Sequence, residues 1–259
     1  MEDSDKPLYI GLINTLMRID PWLQRLDSNS VRITPALGSP LGEDDRRVDP
    51  YQTSFAVLHS ISHAVDHLHM LRTGLREGGS IHMYAPYSLV RGGLENASAA
   101  VWMLFPSKRV ERLARRLRFA AMDINNGEKM KALLGAVGPR SLDDRLDVVR
   151  KLASQAGIPE KEALKSASYR EIVRVAGIDS GIGEQVAQVV WGLSSGIAHG
   201  DFWTTLAGAS TVEMPGAPDG IAHLKVEASL KTLWTATLTA MNMTSEAWRL
   251  YDLRATAPR

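Results

Sequence analysis

Apolar positions along this chain recur mostly at the three- and four-residue spacing of an amphipathic helix. Residues 7–26 follow this pattern, with a bend or break expected at Pro21. The same spacing is strong over residues 51–76, and residues 86–105 continue it, with a proline placed in the first helical turn. The pattern therefore predicts a chain built mainly from helices.

The rest of the chain predicts further helices and one β element. Helical spacing covers four shorter ranges at about 107–125, 128–137, 141–155 and 159–176. Residues 28–50 are typical of an irregular connection because they include three prolines and a Gly-Ser-Pro. Residues 204–226 predict a hairpin around a Pro- and Gly-rich turn, and residues 227–253 predict the last helix. We therefore expect a single all-α helical bundle over residues 1–259, with a small β-hairpin before the last helix.

Two predicted helices are almost free of charged side chains. Between residues 81 and 105 only Arg91 and Glu95 carry a formal charge, at a spacing that allows them to pair. Residues 185–198 carry none, and the run ends at His199. A buried charge must be paired or functional, because desolvating it alone costs several kcal/mol. The pattern predicts two central helices with a polar cluster between them.

Composition narrows the possible function. The chain has 259 residues, 44% hydrophobic and 23% charged, which is typical of a soluble globular protein. A net charge of +1 gives no general attraction to nucleic acid or to a membrane. The absence of cysteine excludes thiol catalysis and thiolate metal sites. Without a signal-peptide pattern or a membrane-length apolar run, we expect a cytoplasmic protein with no membrane partner.

The candidate chemistry lies on one stripe of each charge-poor helix. Arg91 and Glu95 share a stripe of the first, while Ser195 and His199 share a stripe of the second. An imidazole can act as an acid or a base near neutral pH, and a guanidinium can hold a phosphate. These four residues form the candidate catalytic site, with a purely structural ion pair as the alternative. No Gly-x-Ser-x-Gly elbow supports a serine triad with Asp201.

Two segments support a family resemblance. Residues 87–95 read Tyr-Ser-Leu-Val-Arg-Gly-Gly-Leu-Glu, and residues 193–200 read Leu-Ser-Ser-Gly-Ile-Ala-His-Gly. They resemble segments of uncharacterised bacterial HEPN-like proteins (higher eukaryotes and prokaryotes nucleotide-binding). That family is recognised by an Arg and a polar residue a few positions before a His on the last core helix. His199 matches the histidine and Ser195 the polar residue, whereas Ser194 occupies the Arg position.

The resemblance implies an HEPN-like helical bundle that acts as an endoribonuclease without a metal or cofactor, or as an RNA-binding toxin or defence component. On this hypothesis His199 is the acid or base, Arg91 supplies the missing cation, and Ser195 positions the RNA. An inactive relative that serves as a non-catalytic interaction or scaffold protein is the alternative. A homodimer that forms through the uncharged helix is compatible with both the ribonuclease and the interaction-protein hypotheses.

Two further features have their own interpretations. His59, His63 and His67 recur every four residues, and a His pair at that spacing can chelate a divalent metal. These histidines lie opposite the apolar face of their helix, so the favoured interpretation is that their side chains are solvated. No metal ligand is assigned, and a metal-dependent hydrolase at this stripe is the third hypothesis.

The densest basic segment spans residues 108–118, with six basic side chains against one acidic. Such a segment can track the phosphates of RNA, although charged runs on helices are most often solvated faces. The candidate RNA contacts in this segment are Arg109, Arg112, Arg115 and Arg116.

Overall fold

The computed structural model describes residues 5–27, 33–78, 81–216 and 218–258. The fold is helical, with one two-stranded antiparallel hairpin before the last helix, which confirms the predicted class. In chain order the elements are α1 (Lys6–Met17), α2 (Asp20–Asp27), α3 (Pro40–Arg47), α4 (Thr53–Glu77), α5 (Ala85–Leu104), α6 (Arg109–Leu134), α7 (Leu142–Gln155), α8 (Glu160–Ala163), α9 (Tyr169–Asp179), α10 (Glu184–His199), α11 (Phe202–Gly208), β1 (Ala209–Met214), β2 (His223–Ala228) and α12 (Leu230–Ala255).

Helix α5 is the centre of the main core. It packs against α4, α12, α9 and α10, so most of its circumference is covered by other helices. Ala97, Ala99 and Ala100 are fully buried, and small side chains at these positions let neighbouring helices approach from several sides. The near absence of charge in this segment therefore reflects true burial, as predicted.

Helix α10 differs from that prediction, because only one side of it is buried. Ala187, Val190 and Ile197 pack into the core, whereas Val186 and Val189 are 47% and 60% exposed. The expectation of a second central helix was wrong. A charge-free sequence predicts an apolar helix, but it does not establish that other elements cover every side.

Residues 28–50 also differ from the prediction. The range contains α3, while residues 28–32 lie outside the described residues. Ser39 caps α3 by accepting a hydrogen bond from the Gly42 amide at 3.1 Å, and Pro40 occupies its first turn. This Ser-Pro start is a helix signal, since proline loses no hydrogen bond there.

Helix α6 continues through the break predicted near residue 126. Its apolar side, including Leu113 and Leu117, forms a second core cluster with Val149 of α7, and this packing supports one long helix.

Farther on, the helix predicted over residues 159–176 is divided into α8 and α9. Ser168 starts α9 by accepting a hydrogen bond from the Glu171 amide at 3.2 Å.

The predicted hairpin exists, but it starts later than expected. Its register pairs Ala209 with Ala228 at one end and Met214 with His223 at the other. The preceding residues form α11, which packs closely on α10: a Cβ added at Gly196 would lie 2.4 Å from the Thr204 side chain. Among the described helices, none combines the length and the apolar character needed to cross a membrane.

Candidate functional site

The structure joins Arg91 of α5 to His199 at the end of α10. Nη1 of Arg91 lies 3.2 Å from Nε2 of His199. A guanidinium can only donate, so Nε2 accepts this hydrogen bond and the neutral ring carries its proton on Nδ1. His199 is exposed, and the Arg91 side chain is 27% exposed. The predicted pair therefore meets at an accessible surface.

Glu95 anchors the other side of the Arg91 guanidinium. Its Oε1 accepts from Nε of Arg91 at 2.9 Å, which confirms the ion pair expected from their spacing. The same oxygen accepts from Nε1 of Trp191 at 2.7 Å. Trp191 was missed by the sequence analysis as a site residue. The sequence feature that could have identified Trp191 is its position on the charge-free helix, since Glu95 is the sole carboxylate of α5 and needs a donor.

Helix α9 extends this network beyond Trp191. The guanidinium carbon of Arg170 lies 5.5 Å from the centroid of the Trp191 ring, within the range of a cation–π contact. Burial and, secondarily, the nearby Glu95 carboxylate raise the pKa of Tyr169. The polar cluster therefore includes side chains from α5, α9 and α10 rather than from two helices alone.

Ser195 is half-buried one helical turn before His199. Its side chain makes no hydrogen bond within the described part of the chain. Ser194 is fully buried, and its Oγ also has no partner among the described residues. The structure thus brings Arg91, Glu95 and His199 together, whereas the Ser195 side chain has no hydrogen bond to them.

A cleft of about 690 Å³ lies next to this cluster, between α9, α10 and α11. It follows the side of α10 that carries Gln188 and Gly192. The side chain of Trp203 forms part of the wall and is 67% exposed. Other lining residues are Arg170, Gln185 and Trp191. Trp191 belongs to both the cleft and the Glu95 network, so the two features are continuous.

Two of the four candidate RNA contacts in the basic segment are buried. Arg112 and Arg116 are only 2% and 7% exposed, so these guanidiniums cannot reach an RNA backbone. Nε of Arg112 donates to Oδ2 of the fully buried Asp44 at 2.6 Å. Nε of Arg116 donates to the Gln52 carbonyl at 3.2 Å, and burial lowers the pKa of Arg116 to about 10.

The two more exposed arginines of this segment also have internal partners. Arg109 lies 3.1 Å from Asp44, and Arg115 lies 2.9 Å from Asp179. The physical reason is that α6 packs against α3 and α5, where its cations neutralise carboxylates and bind carbonyl groups. A linear run of charge cannot reveal these long-range partners.

The histidine stripe on α4 is largely solvated, as favoured. His59 and His63 are exposed, with ring centroids 4.2 Å apart, and burial followed by the His63 charge lowers the pKa of His59. His67 packs over Gly92, where an added Cβ would lie 2.3 Å from its ring. In the described ranges, no three His, Asp, Glu or Cys residues are grouped to hold a metal ion.

Comparison of the chain with models of protein families, with curated proteins and with solved structures found no match.

Proposed function

We propose that this protein is an HEPN-like endoribonuclease that cleaves RNA without a metal or cofactor and acts in the cytoplasm. The observation that supports the proposal is the 3.2 Å contact between Arg91 and His199. It places a proton acceptor beside a fixed cation at an accessible surface. Both groups can serve phosphodiester cleavage, the base by taking the proton of the attacking hydroxyl and the cation by stabilising charge on the phosphate.

In the proposed reaction, Nε2 of His199 accepts the proton of a ribose 2′-hydroxyl. The 2′-oxygen attacks the adjacent phosphorus, the bond from phosphorus to O5′ breaks, and O5′ takes a proton from water. The hydroxide that remains takes the proton held by His199, which restores the neutral ring. The products are a 2′,3′-cyclic phosphate and a 5′-hydroxyl. Ser195, one turn below His199, is placed to position the RNA by hydrogen bonding.

Arg91 stabilises the charge that develops on the phosphate. Its Nε is held by Glu95 and its Nη1 by His199, while Nη2 makes no hydrogen bond within the described residues. Nη2 can therefore donate to a phosphate oxygen while Glu95 keeps the guanidinium in place. When RNA binds, the Nη1 contact must open so that Nε2 of His199 can reach the 2′-hydroxyl.

A second candidate function is a non-catalytic interaction protein that forms a homodimer. The observation that favours it is an exposed apolar surface on α10 and α11. Val189, Phe202 and Trp203 are 60%, 75% and 67% exposed. Apolar patches of this kind often mark protein interfaces. In that case the Arg91–Glu95 pair would only specify how α5 and α10 pack.

The test is RNA cleavage by the purified wild type and His199→Ala variant in EDTA, on a pool of structured and single-stranded RNAs. We expect wild-type cleavage that ends in a cyclic phosphate and disappears in the variant. His63→Ala is the matched control, since it removes an exposed histidine away from the site. Cleavage that persists in folded His199→Ala would contradict the proposal. No cleavage by the wild type would contradict it and favour the interaction protein.

A further inference from the structure

The cleft beside α10 contains aromatic and polar groups that the proposed reaction does not use. The Trp203 indole is largely exposed on one wall, and Trp191 forms another wall with its ring held by the hydrogen bond to Glu95. Gln185 is exposed in the same cleft, and its amide has no partner among the described residues. Flat apolar surfaces next to an amide suit a planar ligand with polar edges.

The charges in the cleft favour an anionic ligand. Arg170 makes no ion pair or hydrogen bond in the part of the chain that the structure describes, and it stands over Trp191. The cleft carboxylate, Glu184, is already engaged: it accepts from Gln188 at 3.2 Å and lies 3.5 Å from Arg174. The available cation thus lies against the half-buried Trp191 ring, in the cleft that the exposed Trp203 also lines.

We infer that this cleft binds an unpaired base of an RNA strand, whose backbone passes Arg170 towards Arg91 and His199. This inference rests on the proposed function. Proteins recognise single-stranded RNA by stacking bases on aromatic side chains and contacting the backbone with cations. Gly192 of the cleft lies roughly 10 Å before His199 along α10, so the bound base is within a few nucleotides of the scissile phosphate.

Gly192 offers a way to fill the cleft without disturbing the fold. A Cβ added there meets no atom within 4 Å, so Gly192→Leu extends the side chain into open space. Gly74 on α4 is equally unobstructed and lines no part of the cleft, which makes Gly74→Leu the matched control. Trp203→Ala is the second test variant, because it removes a stacking surface without filling the cleft.

The probe is a 2′-O-methyl single-stranded oligonucleotide of mixed sequence, which cannot be cleaved through its 2′-oxygen. A second probe has the same length and abasic positions. Binding is measured by fluorescence anisotropy at low salt in EDTA. We expect Gly192→Leu and Trp203→Ala to weaken binding of the first probe about tenfold or more, and Gly74→Leu to bind it as the wild type does. The abasic probe should bind the wild type as weakly as the first probe binds the cleft variants.

Equal affinity of wild type for both probes, or unchanged affinity of both cleft variants, would overturn the inference. Cleft variants that change the sedimentation coefficient of the protein without changing its RNA affinity would also overturn the inference. They would indicate that the cleft is part of a dimer interface. Probe binding and RNA cleavage are measured separately on the same cleft variants, which separates the two proposals. Base-dependent binding without any cleavage would contradict only the proposed reaction. Cleavage that depends on His199, together with unchanged RNA affinity of the cleft variants, would contradict only the base site.

Discussion

Arg91 donates from Nη1 to Nε2 of His199 over 3.2 Å, although 108 residues separate them in the chain. On the opposite side of the guanidinium, Nε donates to Glu95 at 2.9 Å. Both contacts orient the guanidinium before RNA binds, and the Glu95 contact continues to hold it when the Nη1 contact opens for the RNA. A fixed donor costs less reorganisation when charge develops on a bound phosphate.

Arg91→Lys should reduce RNA cleavage about 100-fold or more, nearly as much as Arg91→Gln. Lysine keeps the positive charge, but its single ammonium group cannot hold Glu95 and a phosphate in the same planar arrangement. Single-turnover cleavage at saturating RNA is the measurement, with Arg174→Lys as the control because that side chain lies away from His199. A wild-type rate in Arg91→Lys would show that charge alone is sufficient.

Gly92→Ala should lower the free energy of unfolding by about 1 to 3 kcal/mol, because the new Cβ would overlap the His67 ring. Thermal and denaturant unfolding measure the loss. Gly192→Ala is the control, and we expect it to be neutral or slightly stabilising because its Cβ meets open space. Adding His67→Ala to Gly92→Ala should restore part of the stability; a purely additive double variant would contradict the packing explanation.

Asp44→Asn should destabilise the protein by about 3 to 5 kcal/mol, because it leaves the buried Arg112 guanidinium without its counter-charge. Denaturant unfolding gives the difference in free energy. Asp143→Asn removes an exposed partner of Arg150 and should cost far less, because solvent screens a surface ion pair. Similar losses for the two variants would mean that the buried pair contributes no more than a surface pair.

Stability at alkaline pH should depend on Tyr87. Burial raises the pKa of Tyr87 from 10.0 to about 12, and its hydroxyl donates to the Gly208 carbonyl at 3.3 Å. Because the unfolded chain ionises first, this contribution is complete below about pH 10 and is lost as the pH rises towards 12. The corresponding loss is roughly 2 to 3 kcal/mol.

The Tyr87 prediction is measured as the difference between the wild type and Tyr87→Phe in the free energy of unfolding from pH 9 to about 12. That difference should shrink as the pH rises. Burial also raises the pKa of Tyr251, so Tyr87→Phe should keep part of the alkaline slope. Identical slopes for the two proteins would contradict the assignment to Tyr87.

The site was predictable where its contacts are local. Arg91 and Glu95 are four residues apart on one helix, so helical geometry alone brings them together. The bond from Trp191 to Glu95 spans 96 residues and was not predictable, because it depends on how α10 lies against α5. The arginines of α6 show the same limit: their carboxylate partners are distant in sequence, so an apparent basic surface is in part buried structure.

The sequence by itself determined most of the helices, the hairpin before the last one, and the side of α10 that carries Ser195 and His199. These features follow from side-chain periodicity and from turn and capping residues within a few positions of each other. Only the tertiary structure decided that Arg91 meets His199, that α10 keeps an exposed apolar side, and that Arg112 is buried with Asp44. Such outcomes depend on the packing of many distant side chains at once, which no local pattern contains.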